Sequence, residues 1–424
     1  MKTWHAVPMS EMARNTFNPI RSIVDGMKIT PNPKKPMIAL SIGDPTVFGN
    51  LPIPEEIDEA VIDKIRSHKY NGYNPSIGYE EARQAVADYT STHDAPVTSK
   101  DVILTNGCSS ALDLCITVLA SRGQNILIPR PGFSIYKTLG ESLGIEVRFY
   151  DLLPEKSWEV DLKHMESQMD ENTAAVIVNS PSNPCGSVYS RRHIEDILEV
   201  LERNRIPMIA DDIYEHFVFS ENKYHSSISI KNCAYFDCTV LLKVSYYIFC
   251  YRFLVPGWRM GWIVVHDRSN AFHEIRKGLN SLSQRILGPN SLVQSALKDI
   301  LKNTPKSFYA ETLEYIEDNA KLFYKLISEI PGLKPVKPQG AMYMMVGIDT
   351  KNFQNIKDDV DFTEKLVSEQ SVFCLPAKCF QYPNFFRIVL TIPKEKVETA
   401  CERIKEFCDL HYNSDSPSDI SVNH

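Results

Sequence analysis

Six side chains stand beside apolar runs in an order that can do chemistry: Asn183 in SPSNPCG, Asp211 and Tyr214 in IADDIY, Lys243 in TVLLK, Arg259 in FLVPGWRMGW and Arg387 in YPNFFRIVL. An amide, an acid, a phenol, a lysine and arginines so placed can hold a phosphorylated pyridine aldehyde and condense with it. Asp211 follows the strand-like IPMIA, so it falls at the carboxyl end of a strand, where ligands collect in open α/β sheets. A carboxylate there pairs with a protonated pyridine nitrogen and makes the ring an electron sink. Asn183 and Tyr214 can hydrogen-bond the ring's phenolate oxygen. Lys243 follows Val240, Leu241 and Leu242, and an amine in such surroundings has a lowered pKa and can attack the aldehyde. The cofactor these side chains describe is pyridoxal phosphate.

Further residues extend the pattern. TNGCSSAL, residues 105–112, sets a glycine and small polar residues between a strand and a helix. The backbone N–H groups of Gly107, Cys108 and Ser109 would then meet a phosphate at the helix N-terminus. Arg259 and Arg387 sit among apolar residues, which implies a paired charge; a phosphate for the first and a substrate carboxylate for the second suit the guanidinium fork. Phe133, after the Pro-Gly turn of PRPGFSIY, can stack on the pyridine ring. Each has a bland counterpart: Asp211 or Asp212 as a helix cap, Lys243 as a solvated charge, either arginine in an internal salt bridge, Phe133 as a core aromatic.

The elements that must position these groups alternate along the chain. VILT, NILIP, AAVIVNSP, IPMIADD and GWIVVHD have the Val/Ile-rich brevity of buried parallel strands, with SSALDLCITVLA and RRHIEDILEVLERN as crossover helices. Beyond residue 290 long helical patterns dominate, followed by short strands at GAMYMMVG, SVFCLPA and FFRIVLTI and a last helix at KEKVETACERIKEFCDLH. The expected organisation is a large α/β cofactor domain over 57–295 and a smaller α+β domain from 1–56 and 296–412. The first 56 residues read as an extended arm, and 413–424 as a disordered tail.

With 424 residues, 43% hydrophobic and 23% charged, the chain has ordinary globular composition, and its net charge of -7 is not gathered into blocks. Nucleic acid and membrane are therefore not expected as partners. Ten cysteines without zinc-ligand spacing argue against a structural metal or a disulfide framework, and no apolar leader opens the chain. A cytoplasmic protein with reduced thiols is expected.

Taken together, these segments resemble the fold-type I pyridoxal-phosphate enzymes, and within them the aminotransferase family. NPIRSIVDGM, SIGDPTVFGNLP, YNGYNPSIGYEEAR, PRPGFSIY, SPSNPCGSVYS, ADDIYEHFVF, FLVPGWRMGWI, LSQRILGP, GAMYMMVGI and CFQYPNFFRIVLT carry the likeness over nearly the whole chain. The resemblance implies a large, mixed, mostly parallel sheet domain with a smaller α+β domain, and transfer of an amino group between an amino acid and a 2-oxo acid. It implies Gly107, Cys108, Ser109 and Arg259 at the phosphate, Phe133 on the ring, Asn183 and Tyr214 at the phenolate and Asp211 at the pyridine nitrogen. Lys243 would be the Schiff-base lysine, and Arg387, Gly43 and Asn183 would line the substrate pocket. It further implies a homodimer in which Tyr73 reaches the partner's phosphate.

One departure lies between Lys243 and Arg252, where reading Val244–Tyr251 as an eight-residue insertion restores the resemblance on both flanks; a splice-boundary variant is the alternative, and an insertion there is expected to leave this chain weakly active or inactive. Reading back from Arg252 without a gap puts Tyr251 in the lysine's place and describes a binding protein without catalysis. A carbon-sulfur lyase on the same fold remains a further alternative. An NAD-dependent oxidoreductase is disfavoured, since no GxGxxG follows a strand.

Overall fold

Short runs rich in Val and Ile bury both faces only when helices cover them, and the chain supplies strand and helix by turns. The computed structural model describes residues 6–28, 30–230, 252–267 and 270–413, and the backbone of 240–245. In chain order come α1 (Glu11–Asn15), α2 (Pro19–Gly26), β1 (Ile38–Ala39), α3 (Glu55–Ser67), α4 (Glu80–Thr90), β2 (Val102–Thr105), α5 (Cys108–Leu119), β3 (Asn125–Arg130), α6 (Ile135–Ser142), β4 (Glu146–Leu153), β5 (Glu159–Val160) and α7 (Leu162–Ser167). Then follow β6 (Thr173–Asn179), α8 (Arg191–Arg203), β7 (Met208–Asp211), β8 (Val240–Ser245), β9 (Gly261–Asp267), α9 (His273–Ser283), α10 (Ser291–Asn303) and α11 (Lys306–Ser328). The last are β10 (Leu333–Pro335), β11 (Tyr343–Ile348), α12 (Asp359–Gln370), β12 (Val372–Phe373), β13 (Leu375–Pro376), β14 (Phe385–Val389) and α13 (Lys394–His411).

Among the described residues one sheet has eight strands in the order β2-β9-β8-β7-β6-β3-β4-β5. Strands β4, β3, β6, β7 and β8 run parallel, while β9 is antiparallel to both its neighbours and β5 to β4. Strand alternation divides the core between the faces. Ile126, Ile128, Ile177 and Ile209 pack toward α5 with Ala111 and Cys115, whereas Leu127, Val176, Val178 and Ala210 pack toward α8 with Ile194 and Leu198. A second sheet, β10-β11-β14-β13, is antiparallel and is covered by α11 and α13 through Phe323, Ile327, Ile404 and Phe407. This is the mixed, mostly parallel large sheet with a smaller α+β unit that the sequence implied.

Two expectations need correction. The N-terminal arm is not wholly extended, because Ser10 caps α1, and Asn18, followed by Pro19 at the first helical position, caps α2. The boundary at 295/296 falls inside α10, which packs on α3 and α4. Val244 and Ser245, the first residues of the proposed insertion, belong to β8, opposite Ile263 and Trp262 of β9. The tail from residue 414 and the remaining residues 246–251 lie outside the described residues.

The two units are seamed where glycines let backbones touch. Gly186, with φ +69°, lies so close to β11 that a Cβ there would stand 2.6 Å from the Tyr343 carbonyl oxygen. Its own carbonyl accepts from the N–H groups of Gln339 (2.8 Å) and Gly340 (3.0 Å), and a Cβ on Gly340 would collide with the Phe217 carbonyl. Gly186→Ala combines a left-handed backbone with that collision. It should lower unfolding free energy by at least about 2 kcal/mol in urea titrations. Gly49→Ala, at φ +67° with nothing within 4 Å, should cost about 1 kcal/mol. Equal costs would show that the seam is loose.

Candidate active site

Asp211 closes β7 and is 1% exposed. Its Oδ2 accepts from the Tyr136 hydroxyl at 2.5 Å and its Oδ1 from the Ile213 N–H at 3.3 Å. No helix follows it, so the helix-cap reading fails. Among the described residues no cation pairs with the carboxylate, and burial pushes it up to about 7. Tyr136 is itself fully buried, and burial together with Asp211 raises its hydroxyl well above the usual range, so it stays a donor. Its ring meets Phe133 edge to face at 5.8 Å.

From Asp211 a continuous set of bonds runs to the second sheet. Asn179, ending β6, donates Nδ2–H to the Asp211 carbonyl (2.7 Å), and its Oδ1 accepts from the Asn183 N–H (2.8 Å). The Asn183 Oδ1 accepts from Arg387 Nη1 at 2.9 Å, and Arg387 Nη2 donates to the Ser41 carbonyl at 2.9 Å. Arg387, on β14, is 4% exposed. Its guanidinium carbon lies 4.2 Å from the Tyr343 ring centroid and 5.1 Å from that of Phe380. Its Nε is buried without a partner, and among the described residues no carboxylate pairs with it. The internal salt-bridge alternative is thereby removed. The Tyr214 hydroxyl donates to that of Tyr343 at 3.1 Å, and a Cβ on Gly43 would stand 2.6 Å from the same Tyr343 oxygen.

The other end of the site is the start of α5. Gly107, at φ 85°, precedes it, leaving the first N–H groups of the helix directed outward. Arg259 reaches this turn with Nη2, 3.1 Å from Ser109 Oγ and 3.4 Å from the Asn106 carbonyl. It is exposed rather than set in apolar surroundings, which corrects the sequence reading, yet a guanidinium beside a helix N-terminus is what an anion needs. Cys108 packs in the same cluster as Tyr136 and Ile209, so this cup opens on the face of the sheet that bears Asp211.

One expected residue, Tyr73, is not drawn into this constellation, and the side chain of another, Lys243, lies outside the described residues. Tyr73 is 93% exposed on the single chain. Lys243 lies inside β8, where Ala210 is its register partner on β7 and Val244 is that of Asp211. The strand continues two residues beyond it, to Ser245.

The donor set fits a phosphorylated pyridine: an anion cup at α5, an acid without a cation for the ring nitrogen, and hydroxyl and amide groups between them. The sequence pattern described as "Aminotransferase class I and II" matches residues 35–404. The chain belongs to this family. It is 57% identical over 412 residues to the tyrosine aminotransferase of Mus musculus, covering 97% of this chain and 89% of that protein. It is 46% identical over 415 residues to that of Dictyostelium discoideum, covering 97% and 98%. The crystal structure of tyrosine aminotransferase from Leishmania infantum superposes with a TM-score of 0.92 at 34% identity, covering 97% of this chain and all of that one. The family is pyridoxal-phosphate dependent, and so is this member.

Sequence reading missed Tyr136, Asn179 and Tyr343. Asn179 and Tyr343 border or lie in apolar strands and Tyr136 sits in the first turn of α6, places where such residues read as core; only their placement relative to Asp211 and Arg387 reveals them.

The raised Asp211 carboxyl has a consequence for the cofactor-free protein. A carboxyl whose folded pKa exceeds its unfolded one stabilises the fold below the unfolded value and loses that contribution as pH rises through the folded value. Between pH 4 and 7 this loss amounts to roughly 4 kcal/mol. Cofactor-free Asp211→Asn should therefore melt several degrees above the parent at pH 8, with the gap narrowing at pH 5. A gap that widens on acidification would contradict the buried, unpaired acid.

Proposed function

We propose that this chain is a cytoplasmic, homodimeric aminotransferase of tyrosine catabolism, moving the amino group of L-tyrosine to 2-oxoglutarate to give 4-hydroxyphenylpyruvate and L-glutamate. The buried Arg387 guanidinium, which pairs with no carboxylate among the described residues, carries the reading, because it supplies a cationic fork for the carboxylate that every amino acid and 2-oxo acid presents. Bound pyridoxal phosphate supplies an electron sink for the carbanion left when the α proton departs. Asp211 would hold the positive pyridine nitrogen, and Asn183 and Tyr214 the ring oxygen. Gly107, Cys108, Ser109 and Arg259 would hold the phosphate, Phe133 would bear on the ring, and Gly43 would leave room beside Arg387. Substrate identity rests on the similarity to the two tyrosine aminotransferases.

Among the described residues no helix is long and apolar enough to cross a membrane. Tyr73, Ile286 and Leu287 offer exposed apolar surface, and Asn74 ties their segments together by donating to the Pro289 carbonyl at 3.1 Å. A second copy seated there would bring Tyr73 to its partner's phosphate.

Lys243 is proposed, from its place in the sequence pattern, as the amine that holds the cofactor and moves the α proton; its side chain lies outside the described residues. Borohydride reduction with the cofactor bound, followed by peptide mapping, should place a pyridoxyl group on Lys243. A label elsewhere, or none, overturns that assignment and leaves those of Asp211 and Arg387 standing.

Arg387→Lys keeps the charge but loses the planar fork, so kcat/KM should fall about a hundredfold for both L-tyrosine and 2-oxoglutarate. A loss confined to one substrate would contradict a shared carboxylate site.

A further inference from the structure

Tyr343 opens β11, two residues before Met345, which is the register partner of Arg387 on β14. Residues two apart on a strand share a face, so the Tyr343 ring lies diagonally beside the arginine, and their 4.2 Å separation is a close cation–π contact. The side chain is 1% exposed, and its backbone is fixed by the approach of Gly186 to its carbonyl. Its ring stands edge to face with Tyr214 at 5.8 Å and 89°, and the two hydroxyls are 3.1 Å apart. A Cβ on residue 43 would stand 2.6 Å from that hydroxyl, so Gly43 leaves room for it beside the N-terminal segment. One buried phenol therefore touches the groups assigned to the substrate carboxylate, to the cofactor's ring oxygen and to the pocket wall.

We infer that Tyr343 is a positioning residue that joins the two halves of the site, orienting Arg387 with its ring and strengthening Tyr214 with its hydroxyl. The inference rests on the roles proposed above for Arg387 and Tyr214. Tyr214 has a single hydroxyl proton, and its hydroxyl lies 3.1 Å from that of Tyr343. When the cofactor's ring oxygen is present that proton turns to it, and Tyr343 becomes the donor to the Tyr214 oxygen. A hydroxyl that accepts one hydrogen bond donates a stronger one, so the bond to the ring oxygen depends on a residue that never touches the cofactor. A carboxylate bound at Arg387 neutralises the charge lying over the Tyr343 ring, so substrate binding is felt at the ring oxygen through the same side chain.

The test separates ring from hydroxyl. Its probe is 3-(4-hydroxyphenyl)propionate, an unreactive carboxylate analogue of tyrosine, and the cofactor-loaded protein is titrated with it by calorimetry. Tyr343→Phe keeps the ring under Arg387, so analogue affinity should change less than threefold. Its bound cofactor should hold its proton to higher pH, with the absorbance midpoint raised on the order of half a pH unit. The midpoint shift that the analogue induces in the parent should shrink in this variant. Tyr343→Leu removes the ring and should weaken the analogue at least tenfold. If Tyr343→Phe titrates as the parent does and Tyr343→Leu binds the analogue unchanged, while Arg387→Lys weakens it tenfold, Tyr343 has no positioning role and the carboxylate site stands. If Arg387→Lys also leaves the affinity unchanged, the carboxylate assignment beneath the inference fails. Should Tyr343→Leu not fold, the absorbance titration of Tyr343→Phe decides alone.

Discussion

A buried guanidinium that pairs with no carboxylate among the described residues is the constraint around which this molecule is arranged. Removing an ion from water is costly unless hydrogen bonds or an opposite charge replace the solvent. Arg387 is compensated only in part, by an amide from the loop after β6, a carbonyl from the N-terminal segment and two aromatic rings. These partners come from chain positions 41, 183, 343 and 380, so the arm, the large sheet and the small sheet must all be in place before the charge is sheltered. The glycine seam at 186 and 340 brings the last two within reach.

Asp211 is the complementary case, a buried acid that meets no cation among the described residues. The fold could have paired the two, since an acid and an arginine in one site attract. Instead Asn179 and Asn183 stand between them and tie each in place. Among the described residues neither group meets an opposite charge, and the proposed ligands bring what is missing: a positive ring nitrogen for the acid and a carboxylate for the arginine. Stability forgone in the empty protein reappears as binding energy.

Much of this was legible in the sequence, where local signals and the tertiary outcome agree. α13 occupies the whole of KEKVETACERIKEFCDLH, and β9 the whole of GWIVVHD. Asp211 could be set at a strand end because an apolar run stops there. The short N-terminal helices were readable from Ser10 and from Asn18-Pro19, but the Pro/Asn-rich composition masked those caps. Tyr136 and Tyr343 were not readable, since a tyrosine inside an apolar run differs from a core aromatic only in what its hydroxyl meets. The place of Lys243 was also beyond a linear reading: whether VLLKVS is a strand or a strand ending in a loop is decided by its pairing with β7 and β9.

The account stands or falls on whether the assembled groups transfer an amino group in this chain. The most direct measurement is the half-reaction: stoichiometric L-tyrosine added to the pyridoxal-phosphate-loaded protein without a 2-oxo acid, with the products resolved by chromatography. One equivalent of 4-hydroxyphenylpyruvate per chain is expected, followed by one of glutamate when 2-oxoglutarate is added. Tyrosine bound at saturation with no keto acid formed over hours would contradict it.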